Sequence, residues 1–214
     1  LLAARAMIAA GDTENGLNRM ETIFQTYADR PEAYAAMQAL VEGGRGVNEL
    51  ARGRVSFTYG DYQGAIEAFN SYTAQNPGNI PAELYLLLGR AYREIGNTAA
   101  AVTAFQTIVQ SYTSDELFGQ ALLEQGRTLR VGEDIAGAID AYMRTATTYD
   151  YLPEAAEALW RAGFLYTENN QPTEARAVFE RLADRYPDTQ QARDGLFLAA
   201  STAYTAGDLT SAER

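Results

Sequence analysis

The chain has 214 residues, 47% of them hydrophobic and 21% charged, a balance that excludes wholesale disorder and allows one or two domains or a single repeat array. It contains neither Cys nor His, which excludes thiol nucleophiles, imidazole bases, catalytic triads and nearly all zinc sites. The formal net charge is −11 and all 17 basic residues are Arg, so the overall field repels a phosphate backbone and no nucleic-acid partner is expected.

In chain order, Leu1 to Ala10 carries an amphipathic helical pattern, interrupted by Arg5, that does not resemble a signal peptide. Gly11-Asp12 then marks a turn, and Thr13 to Asp29 predicts a second helix with Met20 at a core position. Glu32 to Glu42 reads as an extra helix before Gly43-Gly44. Residues 1–44 are therefore expected to form an irregular N-terminal helical part. From residue 45 onward a regular array is expected, about four full repeats and a truncated last one, reaching residue 214. The longest apolar run, Leu84 to Leu88, is too short for membrane insertion. The chain starts without Met and stops at Arg214 inside a predicted helix, so it reads as a fragment with both ends cut.

The repeat is visible by position. A glycine recurs at Gly53, Gly89, Gly126 and Gly163, at spacings of 36, 37 and 37. Twelve residues later stands an alanine: Ala65, Ala101, Ala138 and Ala175, with Ala212 continuing the series. Four residues further comes an aromatic ring, Phe69, Phe105, Tyr142 or Phe179. This register predicts pairs of antiparallel helices, with the small residues placed where two backbones approach closely. Glycine and alanine are expected to face each other, with the ring beneath them and against the next repeat. Gly60-Asp61, Gly96-Asn97, Gly132-Glu133-Asp134, Asn169-Asn170 and Gly207-Asp208 are the predicted turns, with Asp61, Asp134 or Thr173 as caps of the second helix.

The pattern Tyr85-x-x-Leu88-Gly89-x-x-Tyr92, then Ala101-x-x-x-Phe105, resembles the tetratricopeptide repeat; so does Leu159-x-x-Ala162-Gly163-x-x-Tyr166 with Ala175-x-x-x-Phe179 and Pro187. The resemblance implies an all-α, tetratricopeptide-like α-α superhelix. Its period of 36 or 37 exceeds the family's value of about 34. The surplus is expected between repeats, around residues 76–81, 113–115, 149–153 and 186–189. Thr128-Leu129 replaces the usual Ala-Tyr, and Ala200 replaces the last Gly.

No complete active site is legible. Glu116 with Glu124, Glu154 with Glu157, and Glu174 with Glu180 read as solvated helix faces or first turns rather than paired catalytic acids. Gly43-Gly44-Arg45-Gly46 lacks the Lys-Ser/Thr ending of a phosphate loop. No catalytic residue, cofactor or metal is expected, and the fragment is read as a non-enzyme.

In the family, the first helix of each pair lines a groove that takes partner peptides. The resemblance places Arg54, Arg90, Arg127, Phe164 and Ser201 at one groove position and Phe57, Arg93, Arg130, Thr167 and Tyr204 one turn on. Arg54, Arg90, Arg93, Arg127 and Arg130 then suggest a strip for a carboxylate, an acidic peptide or an anionic polymer. The alternative is ordinary ion pairing with Glu83, Glu94 and Glu124. A parallel stripe, Leu50, Leu86, Leu123, Trp160 and Phe197, reads first as core between repeats and second as an aromatic platform. Phe164, Phe197 and Tyr204 form the better candidate contact for a partner.

Two local features narrow the resemblance. Ala158 to Gly163 with Arg185-Tyr186-Pro187-Asp188-Thr189 is similar to bacterial envelope versions of the repeat. The irregular start, with Arg52-Gly53-Arg54-Val55 and Tyr59-Gly60-Asp61-Tyr62, resembles the helical non-catalytic region of soluble lytic murein transglycosylases. That likeness implies a periplasmic or envelope scaffold that binds protein or peptidoglycan beside a catalytic domain absent from this chain. A free-standing envelope adaptor for assembly or cell division, and then a cytoplasmic scaffold, are the alternatives. Open terminal repeats would also allow end-to-end self-association.

Overall fold

The structure is a computed structural model and describes residues 1–205, which form twelve α-helices and no strand. The sequence-predicted Ala212 and the Gly207-Asp208 turn lie outside the described residues. Two compact units are present, Leu1–Asn97 and Thr98–Arg214. The sequence marks a change of regularity after residue 44, whereas packing divides the chain after Asn97.

The first unit holds α1 (Leu2–Ala9), α2 (Thr13–Thr26), α3 (Pro31–Glu42), α4 (Glu49–Tyr59), α5 (Tyr62–Gln75) and α6 (Ala82–Glu94). The extra helix is α3. Met20, Phe24, Met37, Leu40 and Val55 are buried together in its core. The second unit holds α7 (Thr98–Ser111), α8 (Phe118–Val131), α9 (Ile135–Thr148), α10 (Glu154–Glu168), α11 (Pro172–Arg185) and α12 (Gln190–Thr205). Tyr142, Leu159, Leu165, Phe179 and Leu182 anchor its core, flanked by fully buried Ala138, Ala162 and Ala175. Burying each large side chain contributes about 1.5–3 kcal/mol.

The repeated small residues point inward, as the spacing predicts, but the facing partner differs. A Cβ at Gly53 would stand 2.4 Å from the Phe69 ring, one at Gly126 2.5 Å from Tyr142, and one at Gly163 2.6 Å from Phe179. The glycine therefore makes room for the aromatic ring of its own helix pair, rather than for the alanine. Phe179 also reaches forward, 2.9 Å from where a Cβ on Gly195 of α12 would lie. One ring thus fixes both the pairing within a repeat and the contact with the helix that follows.

Turn chemistry defines where the helices stop. After α4, Gly60 takes φ 90° and Asp61 N–H donates back to Ser56 O at 2.9 Å; after α6, Gly96 takes φ 79° and Asn97 N–H donates to Tyr92 O at 2.8 Å. This is the left-handed ending that glycine tolerates best. After α8 the left-handed residue is Glu133, φ 64°, not Gly132. Gly132 serves a different need, because a Cβ there would lie 2.7 Å from Thr98 Oγ1. Asp61 and Asp134 cap α5 and α9 by accepting from the N–H groups of Gly64 at 3.0 Å and Gly137 at 2.9 Å. Thr173 does not cap α11, since Pro172 already begins that helix.

Candidate functional site

Within the second unit, α8 and α10 leave between them a pocket of about 620 Å³, floored by α9. Helical periodicity sets its lining. Arg127 and Arg130, three apart on α8, share one face; Glu157 with Arg161 and Trp160 with Phe164, each four apart on α10, form the opposite wall. Val131, Tyr142 and Leu165 complete it.

The polar side of the pocket is basic. Arg161 Nη2 lies 2.7 Å from Glu157 Oε1, in a partly sheltered pair. Arg161 Nε is shielded from solvent and, among the described residues, has no acceptor at hydrogen-bonding distance, although the guanidinium also bears on the Tyr142 hydroxyl. Glu157 also accepts from Gln191 Nε2 of α12 at 3.2 Å. Arg130 donates to both oxygens of Glu168 at 3.2 and 3.3 Å, at an exposed edge where such a pair contributes about 0–1 kcal/mol. Arg127 is exposed and, among the described residues, meets no carboxylate at ion-pair distance. Buried Tyr142 registers this field. Desolvation raises its pKa above the ordinary tyrosine value, opposed in part by the charge of Arg161 and its hydrogen bond to the phenol, then by Arg130 and Arg127.

The apolar side is aromatic. Trp160 is half-buried, its ring centroid 5.7 Å from Phe179 in the core and 6.4 Å from Phe164 at the surface. It is both a core residue and a wall of the pocket, so the two readings of its stripe meet in one side chain. Phe164 remains exposed enough to touch a partner.

The other sequence candidates are distributed differently. Arg54, Arg90 and Arg93 belong to the first unit. Arg54 is ion-paired to Glu83, its Nε donating at 3.2 Å. Arg90 is half-buried, and Arg93 is only 9% exposed, with Nε 3.8 Å from Glu94. Glu124, the third suggested ion-pair partner, is buried on α8. Phe197 and Tyr204 lie on α12, 74% and 68% exposed, and do not line the pocket. The structure thus joins Arg127, Arg130 and Phe164 in one site and adds Arg161, Trp160, Glu157 and Tyr142, which the groove columns do not contain. The signal for Arg161 was the Glu157–Arg161 spacing of four.

Among the described residues, no group of three or more Asp and Glu side chains is placed to hold a metal, and no helix is long and apolar enough to cross a membrane.

Two sequence models of the tetratricopeptide repeat match, one over residues 57–125 and the other over residues 123–189 and 165–214. The chain belongs to the tetratricopeptide repeat family. No curated protein matches it. Among solved structures, the tetratricopeptide fold is shared with MamA at TM-score 0.55 and 23% identity, covering 77% of this chain and 84% of that one. PilW, described as a type IV pilus biogenesis factor, gives TM-score 0.54 and 19% identity over 92% of this chain and 89% of its own. YrrB, described as a TPR protein with an unusual peptide-binding site, gives 0.50 and 17% over 89% and 87%. At these identities the likeness establishes the fold alone.

Proposed function

We propose that this tetratricopeptide protein is a non-catalytic scaffold that holds a partner protein against α8 and α10. The carrying observation is the single pocket in which Arg127, Arg130 and Arg161 meet the Trp160 and Phe164 rings. Guanidinium groups and aromatic faces together are the side chains that dominate protein-binding hot spots. The family supports the same reading, and a peptide-binding site is described for YrrB. The adaptor role suits an envelope location, and PilW, described as a pilus biogenesis factor, shares the fold; a cytoplasmic scaffold would use the same pocket.

One observation favours a second reading. Trp160 beside three guanidiniums also suits a carboxylate-rich glycan such as peptidoglycan, with a sugar ring on the indole. This would accord with the sequence resemblance to the scaffold region of lytic transglycosylases. A photoreactive phenylalanine analogue in place of Phe164 separates the readings. Crosslinks to a protein from position 164, and none from Arg144 on α9, are expected. Retention on isolated sacculi without protein crosslinks would favour the glycan instead.

A further inference from the structure

We propose that Glu157 occupies the pocket's anion subsite in place of the partner, and that the pocket takes an acidic peptide segment whose carboxylate replaces Glu157 on Arg161. The inference rests on the protein-holding reading above and specifies the chemistry of what is held.

Charge complementarity gives the sign of the ligand. Arg127, Arg130 and Arg161 face a single lining carboxylate, Glu157, in a chain whose net charge is −11. A local basic pocket concentrates acidic ligands, while the net negative charge of the whole chain opposes the approach of other copies of it. Basic and polyanionic partners are thus separated by sign from the outset.

Geometry gives the exchange. Glu157 sits one turn before Arg161 on the same helix, and from there its carboxylate reaches Nη2 but leaves Nε without an acceptor among the described residues. A buried donor left unsatisfied carries a desolvation cost that an incoming acceptor removes. A carboxylate approaching from outside the helix is free to align side-on, taking Nε and Nη2 together as the guanidinium fork prefers. Glu157 has a second seat, since Gln191 Nε2 of α12 already donates to its carboxylate at 3.2 Å. On binding, Glu157 releases Arg161 and keeps Gln191. The exposed Arg127 adds a second anchor for acid, and the rings of Trp160 and Phe164 line the same pocket for an apolar neighbour of the acidic residue.

The probe is a blocked peptide of alternating glutamate and phenylalanine, with a control in which glutamine replaces glutamate. Binding to the full chain is read from the fluorescence of its one tryptophan, Trp160, and by calorimetry. The acidic peptide is expected to bind and the glutamine peptide not. Glu157→Gln should tighten binding about tenfold, by removing the internal competitor. Glu168→Gln changes the charge near the pocket equally and should shift affinity by less than about threefold. Arg161→Met and the surface change Arg127→Gln should each weaken binding. No binding by either wild type or Glu157→Gln, or the same gain from Glu168→Gln as from Glu157→Gln, would overturn the proposal. Competition by inorganic phosphate at equal concentration would also overturn it, by showing a site for any small anion. If crosslinking from position 164 persists when the peptide fails, only the acidic specificity is lost; if both fail, the pocket is not the binding site.

Discussion

A methyl group on Gly126 would lie 2.5 Å from Cε1 of Tyr142, closer than two carbons pack. The same relationship joins Gly53 to Phe69 and Gly163 to Phe179, so each pair is held by a ring laid directly on a helix backbone. Gly126→Ala should therefore destabilise by roughly 1–3 kcal/mol through overpacking, even though alanine is the better helix former by about 1 kcal/mol. Urea unfolding of the variant measures this. In a Tyr142→Leu background the penalty should shrink, because the two residues are in contact.

Tyr142 predicts a pH effect of definite sign. Burial raises its pKa above the ordinary tyrosine value, with Arg161 opposing. Above pH of about 10 the unfolded tyrosine ionises while the folded one keeps its proton, so its contribution to stability is complete below that value and declines as pH rises through the folded pKa. Tyr142→Phe, which matches Phe69, Phe105 and Phe179 of the other repeats, should lose less stability than wild type between pH 9 and about 11. Denaturant unfolding across that range checks it.

Glu133 holds a left-handed φ of 64° where Gly60 and Gly96 stand in the first unit. A side chain in that region costs about 1–2 kcal/mol, less for asparagine. Glu133→Asn should raise stability by about 0.5 kcal/mol, seen as a higher urea midpoint with unchanged slope. Gly132→Ala should lower it, because its Cβ would strike Thr98.

Leu196, Phe197 and Tyr204 leave an apolar face open on α12. If copies of the chain pair end to end, this face is the surface they would bury. Phe197→Ser should then reduce the apparent mass in concentrated solution, measured by sedimentation velocity. A mass independent of both concentration and the substitution would remove self-association through α12.

Much of the helix pairing was legible because volume constraints leave fixed marks. Gly53, Ala65 and Phe69 must each have one size, and those sizes recur at the repeat period. What lay opposite each glycine was not legible, since spacing along the chain does not tell whether a gap admits an alanine or a ring. The turn after α8 misled for a related reason: Gly132 is required by Thr98 across a close contact, and the left-handed position fell to its neighbour. In the site, Arg127, Arg130 and Phe164 emerged from the groove register. Arg161 and Glu157 did not, because they flank the column that the register follows, and their importance depends on a pocket whose depth only packing sets.

If the pocket of the second unit receives the partner, the arginines of the first unit should be dispensable for binding. Crosslinking yield from position 164 can be compared between Arg127→Gln, which removes an exposed guanidinium of the pocket, and Arg54→Gln, which removes one already held by Glu83. A loss of about tenfold is expected for the first and little change for the second. Undiminished yield in Arg127→Gln, or an equal loss in Arg54→Gln, would contradict it.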